Sequence, residues 1–181
     1  MERCRLVFSG SGGQGVITAA IILAEAAVLY ENLDAVQSQV YGPAARGGAT
    51  RSDIIISESK INYPKVIQPN VLVCLTQEAY NKFYPIIRPG GLLITDNRYV
   101  KIQKQVDALQ KELSMYRTVM EKIGKPIVFN ICMLGAVISL TDLVKAESIM
   151  KVLTNRIPSS FLEMNQKALD LGIKLGSELK G

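Results

Sequence analysis

Leu6-Val7-Phe8-Ser9-Gly10-Ser11-Gly12-Gly13-Gln14-Gly15 carries most of what the sequence says about its fold. Leu6 to Phe8 is a short apolar run that reads as a buried strand. Gly10, Gly12 and Gly15 satisfy the pattern G-x-G-x-x-G. From Val16 to Leu29 only Thr18 and Glu25 are polar, so a helix buried over most of its surface follows. Strand, glycine turn and helix together open a βαβ unit. In such a turn the first glycine permits a tight bend, the second lets a ligand approach the backbone, and the third brings helix and strand together. Unpaired N–H groups at the helix start, with the helix dipole, suit a phosphate or carboxylate. Gly12, Gly13, Gln14 and Gly15 are therefore candidate backbone donors to an anion, with Gly10 shaping the turn.

The same turn serves three chemistries. A dinucleotide site also needs an acidic residue roughly 20 positions on, at the end of the second strand. Glu31 and Asp34 stand at about that distance, but they precede or open the apolar segment Leu33 to Val40. That segment closes on Gln37, Ser38 and Gln39 without a carboxylate to hold a ribose. A self-sufficient NAD(P)-dependent oxidoreductase is one reading. Glycines that serve only turn and packing are a second. An anion, an acyl-carrier phosphate or a partner's backbone is the third.

Working outward, Leu33 to Val40 is expected as strand two, and Arg51 to Ser57 as strand three through Ile54-Ile55-Ile56. Val71 to Leu75 is nearly continuous in apolar residues, as befits a central strand covered on both faces. Gln77 to Arg88 reads as an amphipathic helix stopped by Pro89-Gly90-Gly91. Leu92 to Asp96 is the next buried strand. Ile102 to Leu113 has helical spacing with much charge, Arg117 to Ile123 a short helix, and Ile127 to Phe129 a final strand. Asn130 to Leu140, Ala146 to Leu153 and Ser159 to Leu179 complete the expected helices. This alternation predicts an α/β fold, a doubly wound and mostly parallel sheet with helices on both faces, as a single domain over residues 1–181.

Composition narrows the chemistry. A chain of 181 residues, 48% hydrophobic and 20% charged, is expected to be an ordinary globular protein with a sizeable core. The net charge of +5 is scattered, and its densest stretch, Lys101 to Lys111, lacks interleaved aromatics. No nucleic-acid surface is expected from it. Val16 to Leu29 falls short of the roughly 20 residues a membrane helix needs. Its glycine-interrupted start also argues against a signal peptide, so a cytoplasmic location is expected. Histidine is absent and Cys4, Cys74 and Cys132 are dispersed in apolar runs. The usual zinc spacings, cysteine-held clusters and imidazole catalysis are thereby excluded, and no metal site is expected.

A second unusual element is Tyr41-Gly42-Pro43-Ala44-Ala45-Arg46-Gly47-Gly48, a loop by its glycine and proline content. Arg46, followed by two glycines, is a candidate contact for an anion or a partner carboxylate. Tyr41, Gly42, Pro43, Arg46, Gly47 and Gly48 are together a candidate interface, Tyr and Arg being the residue types enriched where subunits meet. Asp96, at the carboxyl end of a strand, is expected to form a turn or a helix cap rather than to catalyse.

Taken with Gly10 to Gly15, Asn130, Leu134-Gly135-Ala136, Asn165 and Ala168, this loop resembles the gamma subunit of 2-oxoacid:ferredoxin oxidoreductases over nearly the whole chain. Arg46-Gly47-Gly48-Ala49-Thr50 is more similar to the 2-oxoglutarate branch than to the pyruvate branch, where Arg-Gly-Ala-Pro is expected. The resemblance implies a complex that oxidatively decarboxylates a 2-oxoacid, forms the acyl-coenzyme A and reduces ferredoxin. It also implies alpha, beta and ferredoxin-like delta partners, with thiamine diphosphate and iron–sulfur clusters on those subunits. This chain would hold no cofactor alone and would contribute structure and part of the coenzyme A path.

Overall fold

A computed structural model of the chain describes residues 3–40, 48–103 and 106–180. Of the loop expected at 41–48, all but Gly48 lies outside the described residues. The chain runs β1 (Cys4–Gly10), α1 (Val16–Tyr30), β2 (Asp34–Val40), β3 (Thr50–Ser57), β4 (Val71–Cys74) and α2 (Gln77–Phe83). It continues through β5 (Gly91–Asp96), β6 (Ala108–Leu113), α3 (Met115–Lys122), α4 (Phe129–Thr141), α5 (Ala146–Arg156) and α6 (Leu162–Glu178).

Among the described residues the strands form one six-stranded sheet in the order β2-β3-β1-β4-β5-β6. β1, β4, β5 and β6 pair in parallel. β3 runs antiparallel to both β1 and β2, so β2 points the same way as β1. The sheet is thus mostly parallel, with one reversed strand between its first two.

Alternation along the strands sends side chains to two covers of unequal thickness. Leu6, Phe8, Ile54, Ile56, Val71, Val73 and Ile94 meet α1, α3, α4, α5 and α6. Val7, Ile55, Leu72, Cys74 and Leu93 meet α2, Val66 and Val100. Both covers are apolar, which is why the central strands show no polar alternation in sequence. On the thick side, α4 and α6 touch backbone to backbone. A Cβ placed on Gly172 would lie 1.9 Å from the Cys132 carbonyl oxygen, and one on Gly135 would lie 2.3 Å from that of Leu169.

Three expectations from sequence give way here. The helix expected over Ile102 to Leu113 gives way to a strand: residues 108–113 form β6, an edge strand beside β5, where Glu112 and Leu109 are exposed and the half-buried Lys111 donates to the Leu179 carbonyl. Ile127 to Phe129 is not a strand. Pro126 starts a single 3₁₀ turn that leads directly into α4, since proline lacks only an N–H that a helix start leaves unpaired anyway. The helix expected through Arg88 stops at Phe83, and Pro85 sits in the 3₁₀ turn that follows.

Candidate functional site

Because β1, β2, β4, β5 and β6 share one direction, their carboxyl ends lie along one edge of the sheet. Ligands of open α/β sheets gather at such an edge. The glycine turn follows β1 there. Val40, the last residue of β2, pairs with Arg51, and Thr50 pairs with Gly10. The two strands flanking the 41–48 segment therefore end beside the glycine turn. At its base Gly48 is half-buried, and the Ala49 N–H donates to Glu78 Oε1 at 3.3 Å.

Within the turn, most features answer to the chain itself. Gln14 Oε1 accepts the Ser11 N–H at 2.8 Å, and Gln14 Nε2 donates to the Leu75 carbonyl at 3.2 Å. The Gln14 N–H donates to the Ser11 carbonyl at 3.3 Å. Gln14 is thus a brace between turn and β4, and its N–H is withdrawn from the donors expected to face an anion. Gly10 leaves room for that brace, since a Cβ there would sit 2.4 Å from Gln14 Oε1. Gly13 and Gly15 hold φ of 88° and 72°, a left-handed backbone that side chains disfavour. A Cβ on Gly15 would also lie 2.6 Å from Asn130 Nδ2.

Gly12 differs. It is exposed, and among the described residues no heavy atom lies within 4 Å of where its Cβ would be. Neither the turn nor packing among the described residues requires glycine at that position. α1 begins without a side-chain cap, Gly15 being its N-cap residue. First-turn N–H groups in such a helix have no partner inside the helix. Asn130, 8% exposed, donates through Nδ2 to the Gly15 carbonyl at 3.3 Å, while its buried Oδ1 finds no partner among the described residues. This contact joins α4 to the start of α1 across 115 residues. Spacing cannot show it, and Asn130 stands out in the sequence only through the family resemblance.

Two strands away, Asp96 closes β5 and is fully buried. Its carboxylate accepts the N–H of Arg98 at 2.9 Å and of Tyr116 at 2.8 Å. Burial pushes this carboxyl above the ordinary aspartate range, and the N–H groups of Tyr116, Arg98 and Met115 pull it back. Asp96 therefore fixes a turn and the start of α3, the structural role expected of it. Around it, Tyr99, Tyr116 and Phe129 form a ring cluster with centroids 5.2 to 6.2 Å apart. The Arg98 guanidinium lies 5.0 Å from the Tyr116 centroid. No sequence signal marks this pair.

The acids considered for a ribose are engaged elsewhere. Glu31 accepts the Lys145 N–H and the Ser148 hydroxyl at the start of α5. Asp34 accepts the Ile61 N–H. Gln37, near the end of β2, donates to Ser52 Oγ at 2.7 Å. Asp53 is held bidentately by Arg51, at 2.6 and 3.0 Å, and Arg51 also donates to the Val66 carbonyl. Tyr41, Gly42, Pro43, Arg46 and Gly47 lie outside the described residues. Burial raises all three thiols, Cys4 to about 11 and Cys132 to about 12, so none is a ready nucleophile at neutral pH.

This fold and edge are those of a known class. The family model for pyruvate ferredoxin/flavodoxin oxidoreductase matches residues 5–175, and the chain belongs to that family. Within it, the chain is a gamma-type subunit of a multisubunit 2-oxoacid:ferredoxin oxidoreductase. It is 44% identical to the 2-oxoglutarate synthase subunit KorC of Methanocaldococcus jannaschii, over 98% of this chain and 96% of that one. The crystal structure of a keto/oxoacid ferredoxin oxidoreductase gamma subunit from Geobacter sulfurreducens superposes with a TM-score of 0.89 at 38% identity, covering 97% of both chains. A 2-oxoglutarate:ferredoxin oxidoreductase from Magnetococcus marinus shares the fold at a TM-score of 0.87 and 20% identity, over 32% of its length. Among the described residues no helix is long and apolar enough to cross a membrane.

Proposed function

We propose that this chain serves a complex acting on 2-oxoglutarate, and that its part is to receive a phosphate of coenzyme A at Gly12 and the start of α1. The full-length similarity to KorC supports the substrate, as does the form Arg46-Gly47-Gly48-Ala49-Thr50. One observation carries the phosphate site: every other glycine of the turn has an internal reason to be glycine, and among the described residues Gly12 has none. A group outside this chain that comes close to the backbone there supplies one.

Decarboxylation of a 2-oxoacid needs an ylid cofactor to stabilise the carbanion, and electron transfer to ferredoxin needs clusters. This reading assigns both to alpha, beta and delta partners. Cys4, Cys74 and Cys132 sit apart on β1, β4 and α4, packed into the core, and they do not fit cluster ligation. Tyr41, Gly42, Pro43, Arg46, Gly47 and Gly48 are assigned to contact a partner subunit or the anion, because their segment joins two strands that end beside Gly10.

Gly12→Val in the assembled complex tests the site. The open surroundings predict normal folding and assembly, with a rise in the KM for coenzyme A of about tenfold, because the bulk of valine holds the phosphate off and weakens roughly one hydrogen bond to a charged group. An assembled mutant with unchanged KM overturns the assignment.

A further inference from the structure

Beside the ring cluster a groove of about 350 Å³ opens, lined by Arg98, Tyr116, Arg117, Met120 and Glu121. Arg98 follows the carboxyl end of β5, while Tyr116 and Arg117 follow that of β6, so the groove shares its edge with the glycine turn. In the register of β1, β4 and β5, Gly10 and Asp96 stand level and two strands apart, roughly 10 Å at the usual strand spacing. Phe129 of the ring cluster is followed by Asn130, which contacts Gly15, so the start of α4 bridges the two places.

Both arginines present exposed side chains to the groove. Arg98 is exposed, lies over Tyr116 and makes no ion pair among the described residues. Its position is fixed from beneath, because Asp96 accepts the N–H of both Arg98 and Tyr116. Among the described residues Arg117 pairs only with Glu121 one turn along, and with side chains 74% and 55% exposed that pair is solvated and weak. A planar guanidinium held against an aromatic face keeps its outward N–H groups directed at whatever enters. Met120 and Tyr116 supply an apolar wall beside these charges.

We infer that this groove is a second anion subsite, in which Arg98 and Arg117 receive a phosphate monoester. The inference rests on the coenzyme A reading above and extends it to the far end of the same ligand. Charge divides the two places. Among the described residues the turn offers backbone N–H groups and no cation of its own, which suits a diphosphate link. The groove offers two guanidiniums, which suit a monoester carrying nearly two negative charges at neutral pH. Coenzyme A carries both groups, with its 3′-phosphate as the monoester, and it occupies the edge from the turn to the groove.

The test compares coenzyme A with dephospho-coenzyme A, which lacks that monoester, in the assembled complex carrying Arg98→Gln or Arg117→Gln. KM is measured for turnover, with an inhibition constant where the analogue does not turn over. Each substitution is expected to weaken coenzyme A by about tenfold, the loss of one charge-assisted contact. Dephospho-coenzyme A is expected to be unchanged. Equal weakening of both ligands, or of neither, overturns the subsite. If Arg98→Gln impairs assembly, Arg117→Gln decides the matter, because its exposed side chain supports no core contact. Gly12→Val weakens both ligands alike if the turn holds the diphosphate. A selective groove effect beside a silent Gly12→Val sinks the turn and leaves the groove standing.

Discussion

Between α4 and α6, and again in the turn after β1, the chain uses glycine, and the two regions differ in where a side chain would have gone. At Gly172 it would enter the backbone of α4, 1.9 Å from the Cys132 carbonyl oxygen and 2.9 Å from the Ala136 nitrogen. At Gly12 it would meet no atom of the described residues within 4 Å. The first glycine is explained by the fold, and the second by nothing among the described residues. Gly15 lies between these extremes, left-handed in φ and with the Asn130 side chain as the nearest neighbour of an added Cβ. An identical residue type thus separates packing from function once its surroundings are known.

The sharpest way to break this contrast is Gly172→Ala. Backbone atoms cannot step aside as a side-chain tip can, so α4 and α6 must separate. A loss on the order of 3 kcal/mol is expected, measured by chemical denaturation of the isolated chain. A loss under 1 kcal/mol would show that the helices re-seat easily and that their contact is not tight. Gly15→Ala should cost roughly 1–2 kcal/mol from its left-handed backbone alone, with a further part from Asn130. In an Asn130→Ala background that further part should vanish, leaving the backbone strain. Additive losses in the double mutant would dissolve the link between α1 and α4. Gly12→Ala should change stability by no more than about 0.5 kcal/mol, as surface substitutions away from special features do. A larger loss on denaturation would return Gly12 to the structural glycines and remove the basis of the phosphate site.

The sequence discloses these regions unequally. β1, the turn and α1 are legible because an apolar run, spaced glycines and a second apolar run each restrict the backbone locally. The central strands are legible because both faces are covered. Gly135 stands out as a residue permitting close packing, but Gly172, its counterpart on α6, carries no such mark among the charged residues of that helix. Its role depends on Cys132, 40 positions away, and no local pattern encodes that distance. β6 reads as a helix in sequence because an edge strand tolerates Lys111 and Glu112 in a way a central strand does not. At the site, the glycines are visible, whereas the brace from Gln14 to Leu75 and the seating of Arg98 on Tyr116 need the fold.

The unequal covers of the sheet also set an order of events in time. α4 and α6 cannot part singly, because their backbones interlock at Gly135 and Gly172. The opposite cover is thinner: α2 is seven residues long and ends in a 3₁₀ turn, and a connection without regular structure runs beside it through Val66. Native-state fluctuations start where least apolar surface must be uncovered. Breathing therefore begins on the α2 side, where solvent first reaches the amide protons of the sheet. The half of the molecule built on interlocked glycines stays closed until the whole domain unfolds.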